Sequence, residues 1–254
     1  MNKQKKNVVF DFDGVVCDST DECMVTSWNA WEEWESRDNF RNDLSEFSEN
    51  YKLSFRKVRP RVRGAGEYYI LCRALSEEIS IDNQKIYDEL EVRWQENIKP
   101  FKITFFKARE RLRRYDINAW IDLHPVFDGV IEVMKTLNDQ NRLYLATLKD
   151  AQSVRLILEN KDLNIKKDRL LDQAQIMSKL QALDKFRKQI GCDKKDMIFI
   201  DDNVTHLIEP KYSGYSVYLT TWGENLDEFM KIAKHENIPL LDDSNLSVIL
   251  EKAH

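Results

Sequence analysis

The chain has 254 residues, 42% of them apolar, 33% charged and 11% aromatic, a mixture that can bury a sizeable core and excludes a disordered chain. With only 7 glycines and 5 prolines, collagen-like and loop-dominated architectures are excluded as well. Against 44 acidic residues, 39 basic ones leave a net charge of −5, so no global field draws the chain to nucleic acid or to a membrane surface.

A basic segment, 1–7, leads into Val8, Val9 and Phe10, and Asp11 then ends the apolar run. That run is far shorter than the roughly 7–15 residues of a signal-peptide core, and no stretch approaches the ~18 apolar residues of a membrane span. The expectation is a cytoplasmic protein. Cys17, Cys23, Cys72 and Cys192 form no C-x-x-C pair and read as four reduced thiols.

Residues 7–10 read as a short buried strand ending in Asp11-Phe12-Asp13-Gly14. Ser19, Thr20 and Asp21 offer N-caps to a helix with Met24, Trp28, Trp31 and Trp34 on one face. From there to about residue 122 only helical patterns recur: Ile86, Leu90, Trp94 and Ile98 at four-residue steps, then Phe105, Arg109 and Leu112 after Pro100. The spacing of the tryptophans is that of a packed helix stripe. Five basic residues fall in 56–63; Arg59 or Arg63 is weakly favoured as reaching the non-reacting end of an anionic substrate.

After His124 and Pro125, short apolar strands alternate with helices. Strands are expected at 143–146, 197–200 and 217–219, and helices after Asp128, over about 151–159, and from Ser178 to Gly191. Ser178 and Gln181 suggest a capping box, and Gly191 a helix stop. The fold class is therefore α/β, a doubly wound parallel sheet with an inserted, mostly helical domain. The first strand belongs with the later ones, which assigns 1–18 and 124–254 to one core and 19–123 to the insertion.

Ligands of open α/β sheets bind beyond the carboxyl ends of the strands. Those ends hold Asp11, Asp13, Thr147, Asp201 and Asp202, with Lys179 at a helix N-terminus. Four neighbouring carboxylates repel unless a cation compensates them, and Mg²⁺ suits such a set together with a phosphate oxygen. A hydroxyl and an ammonium are what the oxygens of a phosphoryl group require. The reading is a phosphoryl-transfer site.

The arrangement resembles the haloacid dehalogenase superfamily, whose four motifs occur here in order: 8–16 (Val-Val-Phe-Asp-Phe-Asp-Gly-Val-Val), 143–147 ending in Thr147, Ser178-Lys179, and 199–203 with Asp201 and Asp202. His124 to Gly129 is similar to the re-entry into the core after an inserted helical cap. The resemblance implies a Mg²⁺-dependent phosphatase acting on a small-molecule phosphate ester. Asp11 is the implied nucleophile, forming an aspartyl-phosphate, and Asp13 the acid and base. Thr147 and Lys179 are the implied phosphate-binding residues, with Asp11, Asp13, Asp202 and Asp201 around the metal. Asp13 favours phosphate esters over haloacids, whose displacement at carbon needs no acid there. His206 departs from the family pattern by replacing a second acid four residues after Asp202; it is read as a surface or outer residue. A phosphomutase is the alternative, and a non-hydrolytic phospho-switch a poorer one, because receiver domains place the acidic pair first and the phospho-acceptor on the third strand. No nucleic-acid or membrane partner is expected, and oligomeric state is left open.

Overall fold

The structure, a computed structural model, describes residues 5–223 and 226–251; the first four residues of the basic leading segment lie outside the described residues. The chain divides into two compact units, one formed by Met1–Asp18 and Pro125–His254, the other by Ser19–His124. The second break falls one residue beyond the expected boundary, so His124 goes with the helical unit.

The first unit is built on six parallel strands in the order β3-β2-β1-β4-β5-β6. They are β1 (Asn7–Phe10), β2 (Leu143–Ala146), β3 (Leu170–Leu171), β4 (Met197–Asp201), β5 (Ser216–Thr220) and β6 (Leu240–Leu241). All four residues of β1 and β2 and all five of β4 are buried, as a parallel sheet covered on both faces requires. One face packs Val9, Tyr144, Phe199 and Val217 against Leu183 and Phe186 of helix 179–190, Leu207 of 204–212 and Phe229 of 227–235. β1 pairs with β2 on one side and β4 on the other, in registers Val8↔Leu143 and Val8↔Ile198. The strand order reverses at β1, so its carboxyl end opens onto the switch point where α/β sheets bind ligands. The two edge strands, of two residues each, carry no readable alternation and were not expected from the sequence.

Local chemistry explains the helix ends. Ser178 accepts the backbone N–H of Gln181 at 3.2 Å, and Gly191 closes the helix in the left-handed region at φ 73°. The expected capping box is only half formed: the Gln181 side chain accepts the N–H of Met177, at 2.8 Å, one residue before the cap. The chain leaves and re-enters this unit at one place. Asp18 donates its N–H to Pro125 (2.9 Å), Phe127 donates to Val16 (3.0 Å), and Cys17 bridges Val126.

The helical unit comprises α1 (Thr20–Trp34), α2 (Glu49–Val58), α3 (Tyr68–Ser76), α4 (Gln84–Tyr115) and α5 (Ile117–Asp122), with short 3₁₀ turns between them. Trp31 and Trp34 of α1 both meet Tyr69 of α3 and Phe101 of α4 at ring separations of 5.5–6.4 Å, so these tryptophans are packing residues. Pro100, a residue type that usually breaks a helix, falls between the two helical patterns of the sequence. Instead α4 runs through the proline and breaks its geometry at Trp94 (φ −115°, ψ 16°), whose ring is buried against Tyr69. Tertiary packing overrides the local signal there. Arg63, weakly favoured together with Arg59 as reaching a substrate, is engaged within the unit by Glu67, Asp88 and Glu91.

Four described cysteines are free and buried. Burial pushes the Cys72 thiol up to about 12, which makes it a packing group rather than a nucleophile. Among the described residues no helix is long and apolar enough to cross a membrane.

The most deeply buried charge of the helical unit is Glu22, fully buried on α1. Arg109 grips it with two bonds of 2.8 and 2.9 Å, and Thr26 donates its hydroxyl at 2.6 Å. Removing one partner of such a pair strands the other in a low-dielectric interior, at a cost of about 3–5 kcal/mol. Arg109→Ala is therefore expected to lose that much stability in urea unfolding followed by tryptophan fluorescence. A loss below about 1 kcal/mol, the scale of an exposed pair, would show that the pair is not holding the unit.

Candidate active site

Every residue picked out at the strand ends belongs to the sheet-containing unit. Asp11 follows β1 directly and is 8% exposed; its N–H continues the ladder to Ile200 at 2.8 Å, which fixes the backbone from which the carboxylate projects. Asp201 is the last residue of β4 and fully buried. Between the two carboxylates lies Lys179. Its Nζ is 2.6 Å from Asp11 Oδ1 and 3.5 Å from Asp201 Oδ2, and it donates to the Ala146 carbonyl at 2.8 Å. The first turn of a helix disfavours a cation, so only partners of opposite charge explain a buried lysine at this position. Lys185 and Lys188, farther along the same helix, are exposed.

Glycines bring the remaining loops close. Gly14 has φ +78°, and a Cβ on it would fall 1.9 Å from Asp202 Oδ2. On Gly223 a Cβ would lie 2.3 Å from the Gly14 carbonyl and 2.7 Å from Asp202 Cβ. Trp222 locks the same turn by donating its indole N–H to the Val15 carbonyl at 3.1 Å. Asp202 thus packs against the turn that follows Asp13, while Asp201 takes the buried position beside Asp11.

Thr147, 1% exposed, caps the exit from β2: its Oγ1 accepts the backbone N–H of Lys149 at 3.0 Å. That turn sends the Lys149 side chain inward, where it is wholly buried with its Nζ 3.0 Å from Asp13 Oδ1. Sequence reasoning missed Lys149 because the strand-end reading stopped at Thr147; a lysine two residues beyond an apolar strand was the available signal. His206 was set aside as a surface or outer residue. In the structure its Nδ1 lies 3.2 Å from both oxygens of Asp201.

The electrostatics follow from burial. Desolvation pushes the Asp11 carboxyl up to about 6, with a further upward push from Asp201, although Lys179 and His206 pull the other way. Burial also opposes charge on Asp201, but His206 and Lys179 outweigh it and hold this carboxyl below the usual range. Desolvation of Lys179 is likewise outweighed, by Asp11 and Asp201, and its pKa lies above the ordinary value.

Asp11, Asp201 and His206 each offer a ligand atom, all within 4.8 Å of one another. Two buried carboxylates and an imidazole form a donor set that fits a divalent cation, and the raised Asp11 shows that the protein's own cations leave that carboxylate under-compensated.

A family model for haloacid dehalogenase-like hydrolases matches residues 5–214. The chain belongs to this hydrolase family. No curated protein matches it in sequence. The fold is shared with a hydrolase from Pseudomonas syringae (TM-score 0.58, 16% identity, covering 98% of this chain and 100% of that one). It is shared too with a protein from Haemophilus somnus described as a phosphoglycolate phosphatase (TM-score 0.62, 17% identity, 97% and 98%). A third is a haloacid dehalogenase-like family protein from Streptococcus pneumoniae (TM-score 0.61, 14% identity, 98% of each chain).

Without a bound cation, the native protein keeps a proton on Asp11 in the interval between the ordinary 3.8 and about 6, where the unfolded chain has lost it. This carboxyl's contribution to stability is therefore fully present below 3.8 and is lost as pH rises through about 6. In cation-free protein the ¹³C resonance of the Asp11 carboxyl is expected to titrate with its midpoint near 6, and a midpoint near 3.8 would contradict the assigned burial.

Proposed function

We propose that the protein is a Mg²⁺-dependent phosphatase that hydrolyses a small-molecule phosphomonoester through an aspartyl-phosphate on Asp11. The observation that carries this reading is the Asp11–Lys179–Asp201 cluster at the carboxyl end of β1, in which Lys179 also donates to the carbonyl of Ala146, the residue before Thr147. A nucleophilic carboxylate, a neighbouring acid and a hydroxyl–ammonium pair are the parts phosphoryl transfer requires. The Haemophilus somnus protein that shares the fold and is described as a phosphoglycolate phosphatase supports the same class.

In this reading an Asp11 carboxylate oxygen attacks phosphorus while the P–O bond to the leaving alcohol breaks. Asp13 gives that alcohol its proton. Water then attacks the aspartyl-phosphate, its proton passes to Asp13, and the Asp11–P bond breaks to release phosphate. The Thr147 hydroxyl and the Lys179 ammonium bind phosphoryl oxygens, stabilising charge in a site that excludes water. Asp11, Asp13, Asp202 and Asp201 are the proposed residues around the metal, and Mg²⁺ when bound supplies charge neutralisation to the phosphoryl group. Among the described residues, Asp11, Asp201 and His206 offer ligand atoms within 4.8 Å of one another. The helical unit is proposed as the inserted cap that carries substrate specificity.

A phosphate-release screen over metabolite phosphates, with and without chelator, tests the proposal. Turnover is expected to need the divalent ion and to vanish in Asp11→Asn, and Asp13→Asn is expected to fall by ~10²–10⁴-fold, the usual share of general acid–base catalysis. Undiminished turnover in Asp11→Asn would place the chemistry elsewhere.

A further inference from the structure

We propose that Lys149 is a positioning residue that holds the Asp13 carboxylate for proton transfer through a hydrogen bond to its Oδ1. The proposal rests on the phosphatase reading above and adds to it a residue with a separate task.

Three observations carry it. The Lys149 side chain has no exposed surface, and a buried ammonium is retained only where paired charge and hydrogen bonds offset its desolvation. Its Nζ lies 3.0 Å from Asp13 Oδ1, a charge-assisted hydrogen bond to the proposed acid and base. Its backbone is fixed as well, since the Lys149 N–H donates to Thr147 Oγ1 at 3.0 Å at the exit of a fully buried strand. The ammonium therefore reaches Asp13 from a rigid mount.

The geometry divides the labour between two lysines. Lys179 serves Asp11 and Asp201, the nucleophile side of the cluster. Lys149 serves Asp13, the leaving-group side. Held there, the Asp13 carboxyl delivers a proton to the departing alkoxide as the P–O bond breaks, and receives one from water as the Asp11–P bond breaks. The proton account closes over the two half-reactions: ester plus water give alcohol plus phosphate, and Asp13 ends as it began.

This role has a signature that neither a structural lysine nor a phosphate-binding lysine shares. An alkyl phosphate needs a proton on its leaving oxygen; para-nitrophenyl phosphate, with a weakly basic leaving group, needs none. In first-turnover measurements, Lys149→Met is expected to slow leaving-group release from an alkyl phosphate about ten- to a hundred-fold, a part of the ~10²–10⁴-fold that the whole of acid catalysis supplies, because Asp13 itself remains. Release of para-nitrophenol in the first turnover is expected to change by less than about three-fold, with KM for both esters nearly unchanged. Lys149→Arg should restore most of the alkyl-phosphate rate, and Lys149→Met should cost almost nothing more in an Asp13→Asn background. Lys149→Gln, which keeps a donor in the cavity, repeats the comparison should the methionine variant fail to fold.

Equal slowing on both esters, a rise in KM, or full additivity with Asp13→Asn would each overturn the assignment. Asp11→Asn separates this failure from failure of the phosphatase reading. If that variant is inactive while Lys149→Met slows both esters equally, only the Lys149 role falls. Should Asp11→Asn turn over either ester normally, the underlying reading falls with it.

Discussion

One buried ammonium sets the terms for the site. Lys179 lies between two carboxylates that the ends of β1 and β4 bring together, in an interior where neither acid would ionise readily alone. Its compensation is unequal. Asp201, which also has His206 and the N–H of Asn203, stays below the usual range, while Asp11 remains raised in spite of the lysine. The cluster is thus asymmetric before any ligand arrives: one acid is a settled anion and the other is short of positive charge. That asymmetry suits a division into a fixed supporting carboxylate and a reactive one.

Packing enforces the arrangement from the other side. Gly14, Asp202 and Gly223 approach so closely that no side chain fits between them, and the Trp222 indole ties the same turn to the Val15 carbonyl. The backbone around Asp13 is consequently determined by the loop after β5 as well as by its own sequence. Two loops more than two hundred residues apart hold one turn, and such mutual constraint is how a reactive side chain is kept within a few tenths of an ångström of its working position.

Much of this was legible in the sequence, for identifiable reasons. The four long strands could be read because each is an uninterrupted apolar run closed by a polar residue, and the helix at Lys179 because Ser178 and Gly191 mark its ends. The strand ends could be read chemically because Asp11, Thr147 and Asp201 interrupt apolar runs. Other features were hidden. β3 and β6 are two-residue edge strands, below any periodic signal. The irregularity in α4 falls at Trp94 rather than Pro100 because it follows the packing of a ring, which is a long-range property. Lys149 and His206 look like ordinary polar residues after a strand and in a helix; only the fold brings them to Asp13 and Asp201. The same limit applies to Arg63, whose partners Asp88 and Glu91 both lie on α4, beyond α3.

The junction at Asp18 and Pro125 has a consequence for how such a molecule can diversify. Both ends of the helical unit are clasped by main-chain bonds within the core: Asp18 to Pro125, Phe127 to Val16, and Cys17 beside Val126. Those bonds use no side chain of the helices, and closure entropy grows only as the logarithm of loop length, with each doubling costing about 0.6 kcal/mol. The core is therefore nearly indifferent to the size and sequence of what is spliced there. A segment of another length or sequence can be joined at this seam while the strand ends, and the side chains they carry, keep their places.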